Sequence, residues 1–147
     1  MNDAPATATI AEPAAPHWTF SVLHAAHVIE ERIEVALGKV GLSMAKQGAL
    51  SELSLSGEPL TLSQLAARLS CVRSNMTQLV DRLEADGLVR RLDDPSDRRS
   101  VRAELTPVGR ERQRAGEKAV KRVQAEFAAS LTNSERSALE AVLGAIR

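Results

Sequence analysis

Apolar residues along this chain recur mostly at intervals of three and four, and short polar breaks divide the pattern into segments. From Trp18 to Val40 the apolar positions are Val22, Ala25, Ile29, Ile33, Leu37 and Val40, the spacing of an amphipathic helix. Gly41 ends that helix, and Leu42 to Leu55 carries a second one through Met44, Leu50 and Leu53 until Ser56, Gly57 and Pro59 break it. Thr61 and Gln64 have the spacing of a capping box and open a short third helix with Leu62, Leu65, Ala66 and Leu69 on one face. After the connector Ser70 to Val72, Arg73 to Asp86 reads as a fourth helix with Met76, Leu79, Val80 and Leu83 inward, and Gly87 is placed to stop it.

The period then changes. Leu88 to Leu92 and Val101 to Leu105 read as two strands with inward Leu or Val and outward Arg, joined by the charged loop DDPSDRRS. Thr106 followed by Pro107 is a helix start, and Ala115, Ala119, Val123, Phe127 and Leu131 continue a long fifth helix. Thr132 and Glu135 form another capping box before Leu139, Val142, Leu143 and Ile146. The expected fold is mainly α, an α+β arrangement of six helices with a two- to three-stranded wing.

The domain reading follows from this order. Residues 1–16, rich in Ala, Pro and Thr, form a disordered tail, and residues 17–147 form one domain. Within it, residues 60–106 make a compact lobe built on helix-turn-helix and hairpin. Residues 18–55 and 107–146 supply long amphipathic helices whose apolar faces need a partner, which points to a homodimer. The aromatic residues Trp18, Phe20 and Phe127 all fall in those terminal segments and fit an interface core.

Composition narrows the picture. With 147 residues and 44% hydrophobic content the chain can bury one ordinary core. Its 19 basic and 19 acidic residues cancel, so any surface for nucleic acid must be local, not global. A single cysteine, Cys71, forms no internal disulfide and fits a cytoplasmic protein. Charges interrupt every apolar run before the roughly 20 residues needed to cross a bilayer, so no membrane role is expected. A phosphate-binding glycine loop, a nucleophile with its base and a strong metal motif are all missing from the sequence, so neither an enzyme nor a cofactor is expected.

The outward residues of the helix from Arg73 carry the chemistry. Arg73, Ser74, Asn75, Thr77 and Gln78 are all hydrogen-bonding types, the set that reads base edges when a helix enters the major groove. Arg pairs with guanine and Asn or Gln with adenine, so Arg73, Asn75 and Gln78 are candidates for direct readout, with Ser74 and Thr77 at phosphate. In the hairpin, Arg98 and Arg99 suit the backbone or a narrow minor groove, with Asp97 holding an arginine in position by a paired hydrogen bond.

The stretch Leu65 to Gly109, LAARLSCVRSNMTQLVDRLEADGLVRRLDDPSDRRSVRAELTPVG, resembles the MarR family of bacterial transcription regulators, most tellingly in LVDRLEADGLVRR, DPSDRR and LTPVG. The resemblance extends over residues 18 to 146 in helix order. It implies a dimeric winged helix-turn-helix regulator, usually a repressor, that binds a palindromic double-stranded DNA operator and is released by a small-molecule effector or by oxidation. By resemblance Arg99 is the arginine that enters the minor groove, Arg98 supports it at phosphate, Asp97 orders the wing, and Arg82 is structural or contacts the backbone. Val72 departs from the pattern because it offers no side-chain acceptor to cap the recognition helix, a role left to Ser70.

The effector is less legible. Aromatic or phenolic compounds are the class that the resemblance implies, with His17, Trp18, His24, His27 and Arg32 as candidate contacts. Gly48 and Ala49 are small enough to leave a cavity beside the first helix, although close helix packing explains them equally. His24, His27 and Glu31 share a spacing that suits a metal, but a tetrahedral site needs further ligands, and no metal is assigned. Cys71, just before the recognition helix, is either a small buried residue of the turn or a redox switch whose thiolate is favoured by Arg73 and the helix terminus. The rival to DNA binding is a helical dimer that uses the same polar helix to recognise a protein.

Overall fold

A computed structural model describes residues 17–146, so the proposed tail at 1–16 lies outside the described residues. The helices are α1 (Trp18–Gly38), α2 (Met44–Ser56), α3 (Leu62–Arg68), α4 (Arg73–Ala85), α5 (Pro107–Ala129) and α6 (Asn133–Ala145). The strands are β1 (Leu60–Thr61), β2 (Val89–Asp94) and β3 (Asp97–Leu105), which form one antiparallel sheet in the order β1, β3, β2.

Local chemistry sets most boundaries. Ser43, Thr61, Thr106 and Thr132 each accept a hydrogen bond from the backbone N–H three residues on, and Thr61 with Gln64 and Thr132 with Glu135 complete reciprocal boxes. Gly41 and Gly87 adopt φ of +71° and +70°, the left-handed conformation that ends a helix and reverses the chain at little cost only for glycine. The α4 start is different from expectation. Val72 is its N-cap and makes no side-chain bond, while Ser70 does not substitute: it sits at φ +50° in the tight turn itself. That turn puts a non-glycine residue in the left-handed region, where a Ser tolerates the strain poorly.

The wing also departs from the sequence expectation. The hairpin does not open into a charged loop of eight residues. Its strands continue to Asp94 and from Asp97, so the tip is only Pro95 and Ser96, and Asp97, Arg98 and Arg99 lie on β3. The third strand, β1, is two residues long and exists through pairing of Leu60 with Ala103 and Thr61 with Arg102.

The main core lies beneath the lobe. Leu37, Leu50, Leu60, Leu65, Met76, Val80, Leu83, Leu88 and Val89 are fully buried, drawing on α1, α2, α3, α4 and the sheet. Each large side chain so buried contributes about 1.5–3 kcal/mol. A smaller cluster of Ala36, Ala119 and Val123 with Ile33 joins α1 to α5. Arg112 ties the same helices by donating to the Val40 carbonyl at 2.9 Å, over the left-handed Gly41. In contrast, α6 buries no residue, and the start of α1 exposes Trp18 and Phe20 at 70% and 71%. Among the described residues no helix is long and apolar enough to cross a membrane.

Candidate nucleic-acid interface

The recognition helix α4 is held from behind. Met76, Val80 and Leu83 are fully buried against the core, so Arg73, Ser74, Asn75, Thr77, Gln78 and Arg82 are turned outward and exposed. Thr77 spends its hydroxyl locally, donating to the Arg73 carbonyl at 3.2 Å. Among the described residues Arg73, Arg98 and Arg99 have no carboxylate within ion-pair distance, and they present their donors to solvent. Asp97 Oδ1 accepts from the Arg99 backbone N–H at 2.9 Å, and the expected bond to a guanidinium is not made.

Sequence reasoning missed the group that shapes the wing tip. Asp94 is buried, and its Oδ1 accepts from Ser96 N at 2.9 Å and Ser96 Oγ at 2.7 Å, while Arg102 Nε lies 3.3 Å from Oδ2 as an ion pair. The Ser96 hydroxyl, the Ser96 amide and the Arg102 charge together hold the Asp94 carboxyl below its ordinary value of 3.8. The sign follows: this carboxylate stabilises the wing at and above that ordinary value, and the contribution is lost as pH falls through the lower folded-state value. We expect Asp94→Ala to leave thermal stability of the lobe core nearly unchanged but to raise amide exchange at Ser96 and Asp97 about tenfold, read by hydrogen-exchange NMR. Unchanged exchange there contradicts the assigned role.

A second missed contact joins the wing to the recognition helix. Arg91 of β2 bonds Asp81 through Nη2 and Glu84 through Nη1, each at 2.5 Å, and its backbone N–H donates to Glu84 Oε1 at 3.1 Å. Burial works against the Arg91 charge, but the bonds to Asp81 and Glu84 outweigh it and raise its pKa above the usual arginine value. The signal in the sequence is an acidic pair spaced i, i+3 ahead of a glycine stop and an arginine on the next strand.

The candidate effector residues are not brought together. A cavity of about 400 Å³ opens between α2, the turn before α4 and α4, with walls of Met44, Gly48, Leu69 and Leu79 and a polar edge of Asn75, Gln78 and Arg82. It lies on the α4 side of α2, not beside α1 as the small residues suggested, and Ala49 is buried in the core instead. Gly48 serves packing as well, since a Cβ there would come within 3.3 Å of the Leu69 side chain. His17, Trp18, His24 and His27 are exposed on or before α1 and do not line this cavity. Arg32 instead borders grooves between α1, α5 and α6. His27 Nε2 lies 3.3 Å from Glu31 Oε1, and among the described residues no three His, Cys, Asp or Glu side chains gather as metal ligands. Cys71 is half-buried at the cavity edge and packs against the main core.

A helix-turn-helix of α3 and α4, followed by an antiparallel hairpin and backed by β1, defines a winged helix-turn-helix protein. The model of the MarR family matches residues 42–101, which span α2 through the wing. Over that segment the chain is similar to the MarR family of transcription regulators, and it spans about half the length of the curated relatives it matches. Two relatives from Bacillus subtilis, both named as uncharacterized HTH-type transcriptional regulators, are YkoM, 43% identical over 63 residues, and YsmB, 32% identical over 89. Those alignments take in 43% and 60% of this chain and 41% and 60% of the relatives' own length. The fold is also that of the organohalide-sensing regulator RdhR in its 2,4-dichlorophenol-bound form, at 26% identity and a TM-score of 0.77 over 88% of this chain and 77% of the other. A cysteine-to-serine mutant of MarR from E. coli bound to operator DNA has the same fold at 23% identity, with a TM-score of 0.75 over 87% and 91% of the two chains.

Proposed function

We propose that this chain is a sequence-specific double-stranded DNA-binding transcription regulator that acts as a homodimer on a palindromic operator. The observation that carries the reading is the division of α4. Its inner face is locked into the core, and its outer face offers Arg73, Ser74, Asn75 and Gln78 beside a wing bearing Arg98 and Arg99. A rigid helix with free amide and guanidinium donors suits base edges, and an extended wing suits the adjacent minor groove.

Dimerisation is supported by the apolar faces that the terminal helices leave exposed. The groove of about 500 Å³ between α1, α5 and α6 is walled by Val22, Ile29, Phe127, Leu139 and Leu143, and the flanking Val142 and Ile146 are exposed. Such a surface is costly to leave in water. Light scattering at micromolar concentration is expected to give twice the 15.8 kDa chain mass, and a monomer contradicts the dimer.

The regulator acts as a repressor released by a small aromatic or phenolic ligand. Support comes from the apolar cavity beside α4, whose polar edge of Asn75, Gln78 and Arg82 is part of the reading helix, so ligand and DNA would compete for the same side chains. A relative of the same fold holds a dichlorophenol. Fluorescence anisotropy on a selected duplex tests the core of this reading: affinity is expected to fall steeply and log-linearly with salt as phosphate counterions are released. Salt-insensitive, sequence-blind behaviour favours a protein-recognition dimer instead.

A further inference from the structure

The reading face of α4 changes sign along its length. Arg73, Thr77, Asp81 and Glu84 follow one another at helical spacing, so a single exposed stripe runs from a cation through a hydroxyl to two carboxylates. Beside a phosphate backbone, two bare carboxylates would oppose the approach that Arg73 favours. Arg91 meets both. Rising from the strand that leads into the wing, it places one guanidinium nitrogen on each acid, and the Glu84 carboxylate is further pinned by the Arg91 main-chain N–H. The side chain is only 26% exposed, so its charge is committed inward to the acids.

We propose that Arg91 is a positioning residue for DNA recognition: it holds and neutralises the Asp81 and Glu84 carboxylates on the reading stripe, without itself meeting a phosphate. A planar guanidinium can serve two acids in different directions, which a lysine ammonium on a flexible stem does poorly. The inference rests on the DNA-reading role assigned to α4.

The test measures affinity for a duplex selected by the wild-type chain, using Arg91→Gln, the triple variant D81N/E84Q/R91Q and the double variant D81N/E84Q. Arg91→Gln is expected to bind about tenfold more weakly at about 50 mM salt, with the deficit narrowing to about twofold at about 300 mM as the exposed carboxylates are screened. Removing the acids as well is expected to return the triple variant to within about threefold of wild type at low salt. The double variant is expected to bind at least as well as wild type, and it carries the test if Arg91→Gln melts out of the folded state. A triple variant as weak as Arg91→Gln overturns the proposal, because it would show Arg91 acting on DNA directly. So does an Arg91→Gln variant that binds like wild type, or a double variant that loses affinity. Failure of the parent reading is distinct: the wild-type chain itself would select no duplex.

Discussion

Gly109→Ala is expected to cost about 3 kcal/mol or more and to lower Tm by about 10 °C in a thermal melt followed by circular dichroism. An added Cβ at Gly109 would stand 1.8 Å from the Leu88 carbonyl oxygen and 2.8 Å from its carbon, and both are backbone atoms that cannot swing aside. The contact is the seam between lobe and long helix. Thr106 Oγ accepts from Gly109 N at 2.9 Å and donates to the Gly87 carbonyl at 2.7 Å, while Thr106 N donates to the Leu88 carbonyl at 3.1 Å. The start of α5 is thereby lashed to the turn that ends α4, and a methyl group would have to part them. Gly38→Ala is the control, since nothing lies within 4 Å of a Cβ at that exposed site, and Tm there should hold or rise. Equal melts for the two variants would contradict the seam.

Alanine at Arg73 or Arg99 is expected to weaken operator binding by about 1–3 kcal/mol each, roughly five- to 150-fold, with folding intact. The two losses should differ in kind. Arg73 opens the recognition helix, so its removal should relax the base preference at one position in each half-site. Arg99 lies on β3, where the Asp97 carboxylate grips its backbone N–H, and its removal should reduce preference for the narrow minor groove flanking the half-site. Lys121, paired with Glu117 on α5 at 2.6 Å, is remote from both, and its alanine variant should bind within about twofold of wild type. Full affinity in both arginine variants would remove these two residues from the interface.

Features encoded within a turn or two of chain were legible in the sequence. The boxes at Thr61 and Thr132, the Thr106–Pro107 start and the Gly87 stop are contacts between residues no more than a few positions apart, and each stands as the sequence predicts. The inward stripe Met76, Val80, Leu83 was equally plain from its period. Most of what escaped depends on contacts between separate elements of the fold. The strand β1 is two residues that become a strand only against β3, and the wing strands extend past the expected loop because Asp94 organises a two-residue tip with Ser96 and Arg102. Arg91 looked like one more outward arginine of a strand until the fold carried it to Asp81 and Glu84. The cavity is of the same kind: Gly48 pointed to open space, but the packing of Leu69 and Leu79 decided which side of α2 it faces. The histidines near the start of α1 share no enclosed site with that cavity within one chain.

Selection of bound duplexes from a random pool by the wild-type chain tests the central claim most directly. The account predicts enrichment of an inverted repeat whose half-site centres lie about one helical turn apart, near 34 Å, or a multiple of it, as two copies of α4 related by a twofold axis require. Recovery of no preferred sequence, or of a single unrepeated site, would contradict it.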